Sequence, residues 1–220
     1  MKTKINKYIF TEDINYLKTD KISIWGKGDL KTLNILSKSE IKGIWLNLAA
    51  GDGRYNNILL NKADKVVAAD IDGGALKKLY KNTPKDLQSK LETKILNMTE
   101  RFSFGDNYFD GIFCTGTLYL FPKEILKKIF KEISRVLKKN GFLIFDFATD
   151  RKKVRLDGRK ITDKRIVYKI ESAGEMIKDL LPNYSHEIIR SKVPEELIKI
   201  GKRQYLFSCN FLLVKGVKLK

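Results

Sequence analysis

Apolar positions along this chain alternate between two rhythms. Runs apolar at nearly every position, GIWLNLAA (43–50), KVVAADID (65–72), the start of FDGIFCTGTLYLF (109–121) and GFLIFDFAT (141–149), predict buried strands, with LETKILNMT (91–99) as a further one. Between them lie segments of helical period: RYNNILLNKA (54–63), GALKKLYKNT (74–83) and KEILKKIFKEISRVLKK (123–139). In the last of these Leu126, Ile129/Phe130, Ile133 and Val136/Leu137 make one apolar stripe opposite Lys and Glu, and Asn140-Gly141 is placed to stop the helix. Ahead of the first strand, DLKTLNILSKSE (29–40) reads as a helix turning Leu30, Leu33 and Ile35/Leu36 towards the core. Strands apolar on both faces and separated by helices predict a parallel sheet covered on two sides.

The tail breaks this alternation. AGEMIKDLL (173–181) reads as a helix, and SHEIIRSKV (185–193) and QYLFSCNFLLVKGVK (204–218) read as strands with ten residues between them. So short a connection favours a hairpin over a parallel crossover, which makes the last strand antiparallel to the rest. The expected fold is therefore a doubly wound α/β sheet of seven strands, mostly parallel, with an antiparallel last strand and helices on both faces. It is expected to form a single domain: an N-terminal helical extension (1–40), a core (41–150), and a basic insertion, helix and hairpin (151–220).

Composition narrows the class. The chain has 220 residues, enough for one sizeable core, and its 43% hydrophobic and 32% charged content is that of a soluble globular protein. No apolar run reaches the roughly 18 residues of a membrane span. MKTKINKYIF lacks the apolar stretch of a signal peptide. Cys114 and Cys209 both lie inside apolar stretches, which argues against a disulfide framework, and no metal-ligand spacing occurs. The expectation is a cytoplasmic domain of enzyme size.

Charge changes the picture further. Residues 1–110 carry 19 basic and 14 acidic side chains, net +5, whereas residues 111–220 carry 25 and 12, net +13. Such a field attracts nucleic acid, acidic membrane surfaces or phosphorylated substrates, although a lysine-rich proteome would give the same total. The densest stretch is RKKVRLDGRKITDKRIVYK (151–169), with nine basic residues against Asp157 and Asp163.

The candidate chemistry starts at LNLAAGDGRYNN (46–57), where two alanines and two glycines follow a strand. Such a lack of bulk suits a ligand lying against the backbone, and the helix beginning near Arg54 offers free N–H groups. Asp70 follows Gly51 by nineteen residues at the end of the second strand, where a carboxylate can accept from both hydroxyls of a ribose. The ligand expected is an adenosine-type cofactor. A dinucleotide loop would need glycines at Ala49, Gly51 and Arg54, and the third position fails.

The glycine spacing at 49, 51 and 53, with Asp70 behind it, resembles the S-adenosylmethionine-dependent methyltransferases of the class I, Rossmann-like fold. The resemblance runs from about Ile44 to Phe147, and includes Phe104–Asp110 and the segment ISRVLKKNGFLIFDF. It implies S-adenosyl-L-methionine as cofactor. It places Asn47, Ala49, Gly51 and Gly53 under the methionine portion, Asp70 on the ribose, Ile71 on the adenine face, Asn97 and Met98 beside the base, and Thr115 near the sulfonium. Ala49 stands in place of the first glycine, which requires negative φ there. Asn47 stands in place of the usual acidic residue, and Asn97 in place of an aspartate whose acceptor role its amide oxygen could fill.

On the acceptor side, Tyr119 is the candidate site residue after the fourth strand, and Arg151, Lys152, Lys153 and Arg155 are candidates to hold an anionic acceptor. Cys114 reads as a core filler, and His186, the sole histidine, as remote from the site. Trp25 reads either as a lid or as an anchor. No catalytic base is identified; none is needed unless the acceptor must lose a proton. The chain lacks an Asn/Asp-Pro-Pro-aromatic stretch and a Pro-Cys pair, which argues against two nucleic-acid methylating subclasses. Three readings stay open: transfer to an anionic small molecule, transfer to RNA, or a non-catalytic cofactor- or RNA-binding subunit.

Overall fold

The structure, a computed structural model, describes residues 15–18, 23, 24, 26, 28–162, 166–200 and 203–220. Trp25, and Lys164 and Arg165 of the basic stretch, lie outside the described residues.

Seven strands join one sheet in the order β3-β2-β1-β4-β5-β7-β6. These are β1 (Ile44–Leu48), β2 (Lys65–Asp70), β3 (Leu91–Ile95), β4 (Phe109–Cys114), β5 (Leu137–Val154), β6 (Tyr184–Ile200) and β7 (Arg203–Lys218). β1 to β5 run parallel, and β7 lies antiparallel between β5 and β6. The helices are α1 (Leu30–Lys38), α2 (Asn56–Lys62), α3 (Gly73–Asn82), α4 (Lys123–Val136) and α5 (Ile170–Leu180).

Alternation along each strand sends side chains to two cores. On one face Trp45, Val66, Phe113 and Ile144 meet Leu36 of α1 and Leu59 and Leu60 of α2, while Ala68 meets Leu76 and Leu79 of α3. On the other face Leu46, Leu48, Ile112, Phe145 and Phe147 meet the stripe of α4 and Met176 and Ile177 of α5. Trp45 is completely buried, and a Cβ at Gly111 on the adjacent strand would stand only 2.2 Å from its ring, so only glycine fits there.

Four expectations are corrected. Leu30 is 81% exposed; Asp29 caps α1 by accepting from the Thr32 N–H at 2.8 Å, which leaves Leu30 in the first turn facing solvent. The long helix stops at Val136, not at Asn140, because Leu137 pairs with Phe109 in the sheet. Lys218 there donates to the carbonyls of Ser134 and Leu137. The hairpin of β6 and β7 is present, but its strands run to Ile200 and from Arg203, far closer together than ten residues. The stretch after position 150 does not begin as a loop. β5 continues to Val154 because β7 pairs with it as far as the Val154–Leu206 register, across a bulge between Thr149 and Lys152.

β5, β6 and β7 thus extend past the carboxyl ends of the other strands as a three-stranded arm. The common direction of the parallel strands places the loops after β1, β2, β3 and β4 at that same edge.

Candidate functional site

One residue beyond the last β1–β2, β1–β4 and β4–β5 register pairs, positions 70, 49, 115 and 146 of β2, β1, β4 and β5 form a row across the carboxyl edge. β1 lies between β2 and β4, the neighbours from which the chain departs in opposite directions; ligands of open α/β sheets bind at such a point.

The glycine loop closes on this row. Ala49 (φ 56°), Gly51 (φ 54°) and Gly53 (φ 92°) all adopt left-handed conformations. Asp70 fastens the loop: its Oδ2 accepts from the Gly51 N–H at 2.8 Å, and its Oδ1 from the Asp72 N–H at 2.9 Å. Burial pushes the Asp70 pKa up, and these two N–H donors oppose the shift. Asp72 caps α3 through Gly74 and Ala75.

Asp52, between the two glycines, is buried. It accepts from Ser23 Oγ and the Ile24 N–H, each at 2.7 Å, and pairs with the buried Lys78 of α3 at 3.5 Å. The loop is thereby tied to both the segment preceding α1 and the helix after β2. Gly53 serves the same packing, since a Cβ there would lie 2.8 Å from Leu79 Cγ. Asn47 is buried and donates to Asn56 Oδ1 at 3.1 Å.

Tyr119 and Arg151 meet on the other side of the edge. The Arg151 guanidinium lies 4.8 Å from the Tyr119 ring centroid and donates to the Ile166 carbonyl at 2.7 Å. Tyr119 stands edge-on to Phe147, which stands edge-on to Tyr168. Further out along the arm Lys152 and Arg155 are exposed, and Lys153 sits 5.2 Å over the Tyr205 ring.

Residues 46–145 match the family model described as a methyltransferase domain. The core of the chain, from β1 into β5, is thus similar to a methyltransferase domain. No curated protein matches it. Among solved structures, the YcgJ protein of Bacillus subtilis superposes with a TM-score of 0.62 at 12% identity, over 86% of this chain and 97% of that one. A SAM-dependent methyltransferase of Methanosarcina mazei gives 0.60 at 17% identity, over 85% and 98%. The DhpI–SAH complex gives 0.59 at 17%, over 84% and 81%. At such identities these likenesses establish the fold.

S-adenosyl-L-methionine is the cofactor that such a domain implies, and the residues of the edge fit it unevenly. Asp70 is half-buried and uses only part of its acceptor capacity on backbone N–H groups, so a ribose diol can still be received. Ile71 is partly exposed beside it. Thr115 ends its strand in the same row, partly exposed. Asn97 does not fit the base-binding role, because its Oδ1 already accepts from the Thr99 N–H at 3.0 Å and Thr99 Oγ1 at 2.8 Å. Met98 packs into the core at 8% exposure.

Two further expectations are corrected. Ala49 has positive φ, where negative φ was required, so a Cβ sits in a left-handed turn that costs about 1–2 kcal/mol. Replacing Ala49 with glycine is expected to stabilise the protein by about 0.5–1 kcal/mol, because relief of that strain exceeds the extra chain entropy of glycine. Paired urea titrations check this. Arg151, the first of the four acceptor candidates, is not a free surface charge: it is 8% exposed and packed against the Tyr119 ring.

Sequence reading missed Asp52 and Asp146. Asp146 is partly buried on β5, and its Oδ1 accepts from the Gly116 N–H at 2.7 Å. The signal was a lone acid in the apolar run GFLIFDF. Cys114 is buried in the core, with burial holding its thiol well above the usual range. His186 sits at the amino-edge end of β6, opposite Gly216 of β7 and away from the row.

Proposed function

We propose that this protein is an S-adenosylmethionine-dependent methyltransferase that transfers the methyl group to an anionic small molecule held between the row and the arm. The supporting observation is the placement of charge. The strand carrying Lys152 and Lys153, and the turn carrying Arg155, Arg159 and Lys160, rise from the edge that bears the cofactor loop. Tyr119 and Arg151 form the inner wall of that space.

In this reading Asp70 orients the cofactor through its ribose, and Gly51 lets the cofactor approach the backbone. Asn47, Ala49 and Gly53 shape the loop, and Ile71 and Thr115 flank it. The bound cofactor supplies a methyl group already activated by its sulfonium. The chain's contribution is then to align the acceptor, to exclude water and to neutralise acceptor charge. Arg151, fixed by Tyr119 and Ile166, is pre-positioned for an anion; Lys152, Lys153 and Arg155 supply a longer-range field.

The test follows labelled methyl from S-adenosylmethionine into two fractions of a cell extract, small molecules and purified RNA. Label is expected in the anionic small-molecule fraction; label in RNA alone overturns the reading. The double reversal Lys152→Glu/Arg155→Glu spares the packed Arg151. It is expected to lower low-salt turnover of that fraction about tenfold or more, with a smaller deficit at high salt, where the wild-type field is screened.

A further inference from the structure

Two opposite charges flank the glycine loop without meeting. Asp146 continues the row of Asp70, Ala49 and Thr115 onto β5, on the face shared with Asn47 and α1. Its Oδ1 is taken by the Gly116 N–H. Arg54 follows Gly53 at the foot of α2, half-buried, with its guanidinium 5.5 Å from the Tyr55 centroid. Among the described residues neither side chain forms an ion pair. Arg54 is nonetheless near enough for its charge to favour the ionised form of Asp146, against burial, which pushes the Asp146 pKa up to about 6.

The other carboxylates of the loop are committed elsewhere. Asp52 is turned into its buried pair with Lys78, Asp70 holds Gly51 and Asp72, and Asp29 caps α1. Asn47, on the strand beneath, carries no charge and donates to Asn56. A ligand extended along the row from Asp70 therefore meets two poles beyond the loop, one cationic and one anionic. The cofactor has the matching end, an α-amino acid bearing one carboxylate and one ammonium.

Length agrees with this match. From β2 to β5 the row crosses three strand steps of about 4.8 Å, about 14 Å in all. That is the reach of the cofactor chain from ribose hydroxyl to ammonium with a hydrogen bond of about 2.8 Å at each end.

We propose that Arg54 and Asp146 are the two poles of the site that holds the amino-acid end of the cofactor, Arg54 receiving the α-carboxylate and Asp146 the α-ammonium. The proposal rests on the ribose placement at Asp70 given above. It makes both side chains positioning residues: they set where the sulfonium lies in the row, and hence where the methyl group faces the acceptor.

Calorimetry on the full chain separates the outcomes, with S-adenosylhomocysteine and 5′-methylthioadenosine as probes; the second keeps the nucleoside and lacks the amino acid. Asp146→Asn and Arg54→Gln are each expected to weaken S-adenosylhomocysteine by about tenfold or more and to leave 5′-methylthioadenosine within about twofold. The wild type should also lose S-adenosylhomocysteine affinity as pH falls through about 6, because a protonated Asp146 no longer attracts an ammonium. The groups facing Asp146 are Arg54 from the loop, Asp29 from α1, Cys114 from β4 and Cys209 from β7, both thiols held protonated by burial. Asp146→Asn should flatten that profile. Unchanged S-adenosylhomocysteine affinity in both variants overturns the proposal, as does an equal loss for both probes, which would mark a general disturbance of the loop. Failure of the wild type to bind either probe would instead remove the ribose placement at Asp70, and the proposal with it.

Discussion

Asp70→Ala is expected to weaken S-adenosylhomocysteine binding by about a hundredfold or more. Two charge-assisted hydrogen bonds to the ribose, each worth about 1.5–3 kcal/mol, are lost together. The structure adds a second cause. The same carboxylate fastens the Gly51 and Asp72 N–H groups, so the loop loses the anchor that presents it. The loss should therefore extend to 5′-methylthioadenosine, unlike the loss expected at Asp146. Calorimetry giving wild-type affinity for both nucleosides would remove Asp70 from the site.

The largest effect on stability is expected at Asp52. Its side chain is fully buried, Lys78 is 4% exposed, and the two are joined at 3.5 Å. Asp52→Ala takes the carboxylate from a buried ammonium and from the Ser23 hydroxyl and Ile24 N–H, at a cost of about 3–5 kcal/mol. Asp52→Asn should cost less, since an amide oxygen still accepts from one of those donors. Denaturant titration measures both, and a change below about 1 kcal/mol for alanine would show that the pair contributes little net stability. Cofactor binding should fall with it, because Asp52 sits between the two loop glycines.

The long-range hydrogen bonds of Arg135 explain why two separated stretches of sequence carried the resemblance. Its guanidinium donates to the carbonyls of Phe102 and Phe104 and to the Asp106 carboxylate, fastening the segment before β4 onto α4. Both stretches were readable as motifs, whereas their junction was not, since it joins residues about thirty positions apart.

Alternating apolar period by itself determined the parallel strands, the helices between them and the antiparallel turn of the tail, because burial on one or two faces imposes a local repeat. Glycine spacing marked the left-handed turn after β1, and its offset to Asp70 motivated the proposed cofactor loop, because backbone geometry of this kind is constrained by sequence distance. What only the tertiary structure decided were the partners of polar side chains. Nothing in the sequence says that β7 pairs far enough along β5 to carry Lys152 and Lys153 as strand residues and to bury Arg151 against Tyr119. Nor does it say that Asn97 spends its oxygen on Thr99, that Asp52 belongs to Lys78, or that Asp146 receives the Gly116 N–H. Apolar burial is non-directional and leaves a periodic trace in the chain, whereas a hydrogen bond or an ion pair is set by the position of two specific atoms, and the register of the sheet sets that position.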